Sequence, residues 1–159
     1  MPQLRSPDQL DAFRQELSSG RDADTPCISV CAGTGCLAYG ADQVIQAFEA
    51  EIGKQGLAAT VNTKGTGCPG YCEKGPVVVI QPSKIFYPSI KVESIPDIVE
   101  KSVLGDEIIE DLLYTDPVSK KKIAYDHEVP FYAKQERIVF RLNGLIDPIV
   151  LEDYVAHDG

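Results

Sequence analysis

Apolar residues recur at helical spacing at Leu10, Phe13 and Leu17, which predicts a helix over residues 5–18. Ser6-Pro7-Asp8 offers it a cap with proline in the first turn, and Ser19-Gly20 ends it. A short β-rich run at 26–31 predicts a strand, followed by a glycine-rich loop from Ala32 to Gly40. Val44, Ile45, Phe48 and Ile52 form one stripe of an amphipathic helix over 41–54, closed by Gly53 and Gly56. Residues 57–63 read as a second strand, and a second glycine-rich loop runs from Lys64 to Gly75. Val77–Gln81 and Ile85–Ile90 read as a hairpin around Pro82-Ser83-Lys84. A helix over 94–103 turns Ile95, Ile98, Val99 and Val103 inward. Strands flanking a helix pair in parallel through a crossover, and hairpin strands pair antiparallel. Residues 25–104 are therefore expected to form a small α/β layer with helices on one face.

Beyond Gly105 the pattern loosens. Residues 106–116 are acidic and read as helix then turn, with basic Lys120-Lys121-Lys122 behind them as a solvated turn. Short helical patterns span 129–142 and 147–157, the latter with Asp147 as cap and Pro148 at the first position. No sheet is expected here. The segment is too small to build its own core and is expected to pack on a neighbour. Phe131, Tyr132, Ile138, Val139 and Phe140 read as packing residues, and His127 and His157 as surface histidines.

Composition narrows the function. The 159 residues are 43 % hydrophobic with a mean hydropathy of −0.10, which fits a globular chain. Fifteen basic against 24 acidic residues leave a net charge of −9, unsuited to binding nucleic acid or an anionic membrane. No apolar run reaches the roughly 18 residues of a membrane span, and no signal peptide opens the chain, so a cytoplasmic location is expected.

The chemistry lies in five cysteines between Cys27 and Cys72. Five cannot all pair within one chain. Four form two pairs, Cys31-x4-Cys36 and Cys68-x3-Cys72, each in a glycine-rich loop after a predicted strand. Adjacent parallel strands bring both loops to one sheet edge, so four thiolates converge. Such a set suits zinc or an iron–sulfur cluster. The glycines at Ala32-Gly33-Thr34-Gly35 and Gly65-Thr66-Gly67 favour the cluster, since they leave backbone N–H groups free near sulfide and permit positive φ. Gaps wider than the C-x2-C knuckle also favour it. Two disulfides with one free thiol, a zinc site and a redox dithiol stay open as alternatives. In an extended strand Cys27 would lie about 13 Å from Cys31 at roughly 3.3 Å per residue, so Cys27 reads as a buried core thiol. Glu73-Lys74 reads as solvated charge. No nucleophile–base pair suggests a catalytic residue.

The stretch from Cys31 through Thr66-Gly67-Cys68-Pro69-Gly70-Tyr71-Cys72-Glu73-Lys74-Gly75-Pro76-Val77-Val78-Val79 to Tyr87 resembles the thioredoxin-like [2Fe-2S] ferredoxin family. The resemblance implies a thioredoxin-like α/β fold, a [2Fe-2S] cluster on Cys31, Cys36, Cys68 and Cys72, and one-electron transfer. Glu128-Val129-Pro130-Phe131-Tyr132-Ala133-Lys134-Gln135-Glu136-Arg137-Ile138-Val139, Gly144-Leu145-Ile146-Asp147-Pro148 and Glu152-Asp153-Tyr154-Val155-Ala156 are similar to the start of NADH-binding flavoprotein subunits, such as the flavin subunit of respiratory complex I and hydrogenase β subunits. That likeness implies an N-terminal helix (1–22), a ferredoxin domain (23–104) and a mainly helical connector (105–159) leading to a flavoprotein domain. FMN, NAD and a [4Fe-4S] cluster would belong to that further part, and this chain is expected to be an N-terminal piece. The expected partners are other subunits of a redox complex, with a homodimer also open, no nucleic acid and no membrane insertion. A cluster-free or zinc-bound module that only assembles subunits is the competing expectation.

Overall fold

The computed structural model describes residues 3–20 and 24–157. The expected boundary at 22/23 and the terminal Gly159 lie outside the described residues. Helix α1 (Pro7–Ser19) begins as predicted, with the Ser6 hydroxyl accepting from the Gln9 amide at 3.3 Å. It buries no residue fully, and the Arg14 Nε donates to the Val155 carbonyl at 3.2 Å.

The central sheet contains β1 (Cys27–Cys31), β2 (Asn62–Thr66), β3 (Val78–Gln81) and β4 (Ile85–Tyr87), in the order β2-β1-β3-β4. β1 pairs parallel with β2 and β3 pairs antiparallel with β4, as the pattern required, and β1 also pairs antiparallel with β3. Ile28, Val30, Val78 and Ile80 point to one face and are almost fully buried. There they meet α3 (Ala41–Lys54), whose Ala41, Val44, Phe48 and Ile52 are buried. The helix Ile95–Asp97 (α4), continued in wide turns over Ile98–Leu104, completes that layer with Ile95, Ile98, Val99 and Val103. Among the described residues no helix is long and apolar enough to cross a membrane.

Two local predictions shift. The second strand spans Asn62–Thr66, not 57–63. Leu57 instead closes α3, its amide bonding to the Ile52 carbonyl at 2.9 Å, and Val61 folds back onto the Leu57 carbonyl. An edge strand needs one partner and little apolar surface, so a polar run serves. The loop 32–40 also contains a short helix, α2 (Thr34–Ala38), which carries Cys36.

The connector departs further. It contains a two-stranded antiparallel ribbon, β5 (Tyr114–Thr115) with β6 (Lys122–Ile123), where no sheet was expected. The lysines turn this ribbon, Lys120 in left-handed conformation. The 106–116 helix shrinks to a single turn at Glu110–Leu112. The 129–142 helix shrinks to α5 (Pro130–Ala133), and the last helix, α6 (Leu151–Ala156), starts three residues past Pro148. Asp147 does not cap it: its carboxylate accepts from the Ile149 amide at 3.0 Å, within the turn before the helix. The connector packs on the first domain, as its size demanded. Val129 is fully buried, Tyr114 joins the core, and the Ile109 amide donates to the buried Tyr87 hydroxyl at 2.9 Å. Lys64 bonds Asp153 at 3.3 Å, tying the edge strand to α6.

Candidate metal centre

Parallel pairing aligns Cys31 with Thr66, so β1 and β2 end together and release both cysteine loops at one edge. Cys31 closes β1, and Cys36 sits one helical turn on, in α2. Both are buried, at 2 % and 1 % exposure. Cys68 is half-buried and Cys72 exposed at the head of a short helical turn, Cys72–Lys74. The Cys68 and Cys72 sulfurs lie 3.4 Å apart. Cys31 and Cys36 are hydrogen-bonded to each other.

The two loops interlock through their glycines. A Cβ on Gly33 would stand 2.6 Å from the Cys68 Cβ, one on Gly35 3.1 Å from the Cys72 Cβ, and one on Gly75 2.7 Å from the Cys36 sulfur. Each glycine thus faces a cysteine of the other loop. The expected positive φ is absent there: Gly33 has φ −67°. Left-handed glycines are Gly40, Gly56, Gly70 and Gly144 instead. At Gly33, Gly35 and Gly75 glycine serves close approach, whereas Gly70, left-handed between Cys68 and Cys72, serves the turn of the second cysteine loop.

Backbone donors reach the sulfurs. The Gly70 amide donates to Cys68 at 3.3 Å, and the amides of Gly33 and Val77 serve Cys31 and Cys36. The Cys31 bond and the Val77 amide hold Cys36 down to about 6 despite burial. Cys31, which shares a proton with Cys36 and is buried, is pushed up, and the bond between Cys72 and Cys68 pushes Cys72 up. Thiolate character at near-neutral pH is what an iron ligand needs. Among the described residues no three His, Cys, Asp or Glu side chains are arranged to hold one metal ion together. The thiols form two pairs in contacting loops, and a two-iron cluster takes ligands in that grouping. The donor set and the glycine cradle therefore fit a [2Fe-2S] centre.

Cys27 lies at the opposite end of β1 and is half-buried, outside the hydrophobic core, not the core thiol its spacing suggested. As the first residue of β1 it sits at the margin of the sheet, where burial is only partial. Glu73 and Lys74 pair with one another at 3.1 Å. The connector supplies neighbours that the motif gave no sign of. Phe131 stacks on Tyr71 with centroids 4.6 Å apart, Arg137 donates to the Pro69 carbonyl at 2.6 Å, and Asn143 donates to the Cys68 carbonyl at 2.8 Å. These brace the second cysteine loop. Phe131 and Arg137 lie in a stretch similar to flavoprotein subunits, and Asn143 lies just outside the stretches that carry that similarity. Ile138, Val139 and Phe140 are not packing residues: they are 77 %, 86 % and 64 % exposed, because turns replace the helix that would have turned them inward.

A sequence profile described as thioredoxin-like [2Fe-2S] ferredoxin matches residues 19–102. The chain is 40 % identical over 80 residues to a 2Fe-2S ferredoxin of Aquifex aeolicus (strain VF5), covering 49 % of this chain and 71 % of that one. It is 27 % identical over 77 residues to a 2Fe-2S ferredoxin of Clostridium pasteurianum, covering 48 % and 76 %. The crystal structure of the wild-type thioredoxin-like [2Fe-2S] ferredoxin from Aquifex aeolicus superposes with a TM-score of 0.53 at 32 % identity, covering 59 % of this chain and all of that one. With the interlocked thiol loops and the sheet order already described, the chain belongs to the thioredoxin-like [2Fe-2S] ferredoxin family. Its cofactor is a [2Fe-2S] cluster, and its class of function is electron transfer.

Proposed function

We propose that Cys31, Cys36, Cys68 and Cys72 hold the [2Fe-2S] cluster, and that the chain passes single electrons as the ferredoxin domain of an NADH-linked flavoprotein complex. The observation that carries the ligand assignment is the interlocking of the loops, glycine against cysteine in both directions. When bound, the cluster stores one electron at a potential set by hydrogen bonds, burial and charge. The chain's own residues do the tuning. Cys31 and Cys36 sit in the dry interior, where burial keeps water from their sulfurs. The amides of Gly33, Gly70 and Val77 donate to sulfur and favour added negative charge. Cys72 opens to solvent and marks the side for electron exchange.

The flavoprotein context is supported by residues 128–156, similar to the opening of NADH-binding subunits, which brace the second cysteine loop. Exposed Ile138, Val139 and Phe140 give this acidic chain an apolar surface of the kind subunits bury. Other subunits of a redox complex are the partners this reading requires.

Anaerobic reconstitution tests the cofactor assignment. Two irons and two sulfides per chain, visible charge-transfer absorption and one reducible electron are expected. Cys36→Ser should abolish or change that spectrum, and Cys27→Ser should leave it intact. Zinc or no metal in well-folded protein would refute the reading and leave a module for subunit assembly. For the complex, the reduced-cluster magnetic resonance signal should appear with NADH in the native assembly and be absent with NADH and the isolated chain.

A further inference from the structure

A cavity of about 430 Å³ lies between the sheet face opposite α3 and the connector, lined among others by Cys31, Pro69, Tyr132, Arg137 and Asn143. Tyr132 enters it from α5. Its ring packs edge-on against Phe86 at 5.9 Å and Tyr71 at 5.7 Å, and the Arg137 guanidinium lies 4.6 Å from its centroid. Its hydroxyl oxygen is buried and makes no well-formed hydrogen bond. Arg137 is the charged neighbour that favours the ionised phenol, but a guanidinium only donates, so it leaves the hydroxyl proton without an acceptor. A buried donor without an acceptor is costly and demands an explanation. The cavity that Tyr132 enters is also walled by Cys31, of the first pair, and by Pro69, which follows Cys68 of the second.

We propose that the Tyr132 hydroxyl donates a hydrogen bond to the sulfurs on the Cys31 and Cys68 side of the cluster. Arg137 acts as a positioning residue, holding the ring while fastening the Pro69 carbonyl of the ligand loop. This rests on the ligand assignment proposed above. A donor at sulfur favours the reduced, more negative state, so the connector raises the potential of the domain it covers. The connector thereby tunes the ferredoxin domain that it covers.

The test is Tyr132→Phe in the full chain, reconstituted beside the unaltered protein and checked by circular dichroism for the same fold. At a fixed applied potential the reduced-to-oxidised ratio should fall about fivefold, where tenfold is about 59 mV for one electron. A strongly coupled exchangeable proton seen by electron–nuclear double resonance in the unaltered protein should be lost. Arg137→Lys should keep that proton more nearly than Arg137→Ala. An unchanged potential and an unchanged proton signal, in a variant that carries the cluster, would overturn the proposal and leave the ligand assignment standing. Failure of both proteins to take up iron would overturn both.

Discussion

Gly33 makes the tightest approach in the site. An alanine there would put its Cβ 2.6 Å from the Cys68 Cβ, inside any real contact, and the obstacle sits next to the backbone of a cysteine loop rather than at the tip of a flexible chain. Gly33→Ala should part the loops, lower iron content after reconstitution and lower the melting temperature. Gly53, in the last turn of α3, meets nothing within 4 Å of an added Cβ. Gly53→Ala should leave the spectrum alone and stabilise the fold by about 1 kcal/mol, read from denaturant midpoints. The pair of variants separates the steric role of glycine at the site from its ordinary entropic cost in a helix.

At the scale of elements, the connector is held by aromatic and polar contacts to one loop. Phe131 lies parallel to Tyr71, with 5° between the ring planes, and the Gly144 amide donates to the Gly67 carbonyl at 3.0 Å. Phe131→Ala and Tyr71→Ala, combined in a double-mutant cycle, should show a coupling of about 0.5–1.5 kcal/mol in unfolding free energy. Amide exchange at residues 67–72 should accelerate in Phe131→Ala with little change in β1 and β3. Phe48 in α3 belongs to the other layer and is fully buried. Phe48→Ala should cost about 3–5 kcal/mol and lower stability throughout the sheet, because no other face of the domain can collapse into the hole. The two responses distinguish a cover on the site from the body of the fold.

Across the whole molecule a net charge of −9 surrounds a site whose open side is at Cys72. Long-range attraction to a cationic electron donor or acceptor is then a rate effect that salt screens. Electron exchange with a cationic partner should slow as ionic strength rises from about 10 mM to about 0.5 M, whereas exchange with a neutral mediator should change little. Stopped-flow oxidation of the reduced protein at several salt concentrations measures this.

Periodicity sufficed for α1, α3 and the 94–103 helix, since a repeating apolar stripe has only one geometry that buries it. The split of five cysteines into two pairs and one outlier was legible from spacing, and so were the parallel β1–β2 and antiparallel β3–β4 pairings. β2 was misplaced because Asn62-Thr63-Lys64-Gly65-Thr66 has no apolar alternation to read, its pairing supplied by β1. The short helix under Cys36, the ribbon at 114–123 and the exposure of Ile138 to Phe140 arise from contacts far apart in the chain. The same holds for Phe131, Arg137 and Asn143 at the second cysteine loop, between 60 and 75 residues from their partners in sequence. Local pattern determines which residues can bury a face or bind iron. Only the folded chain decides which distant segment covers the cysteine loops, because that choice depends on shape and hydrogen-bond complementarity between surfaces that do not exist until the layers have packed.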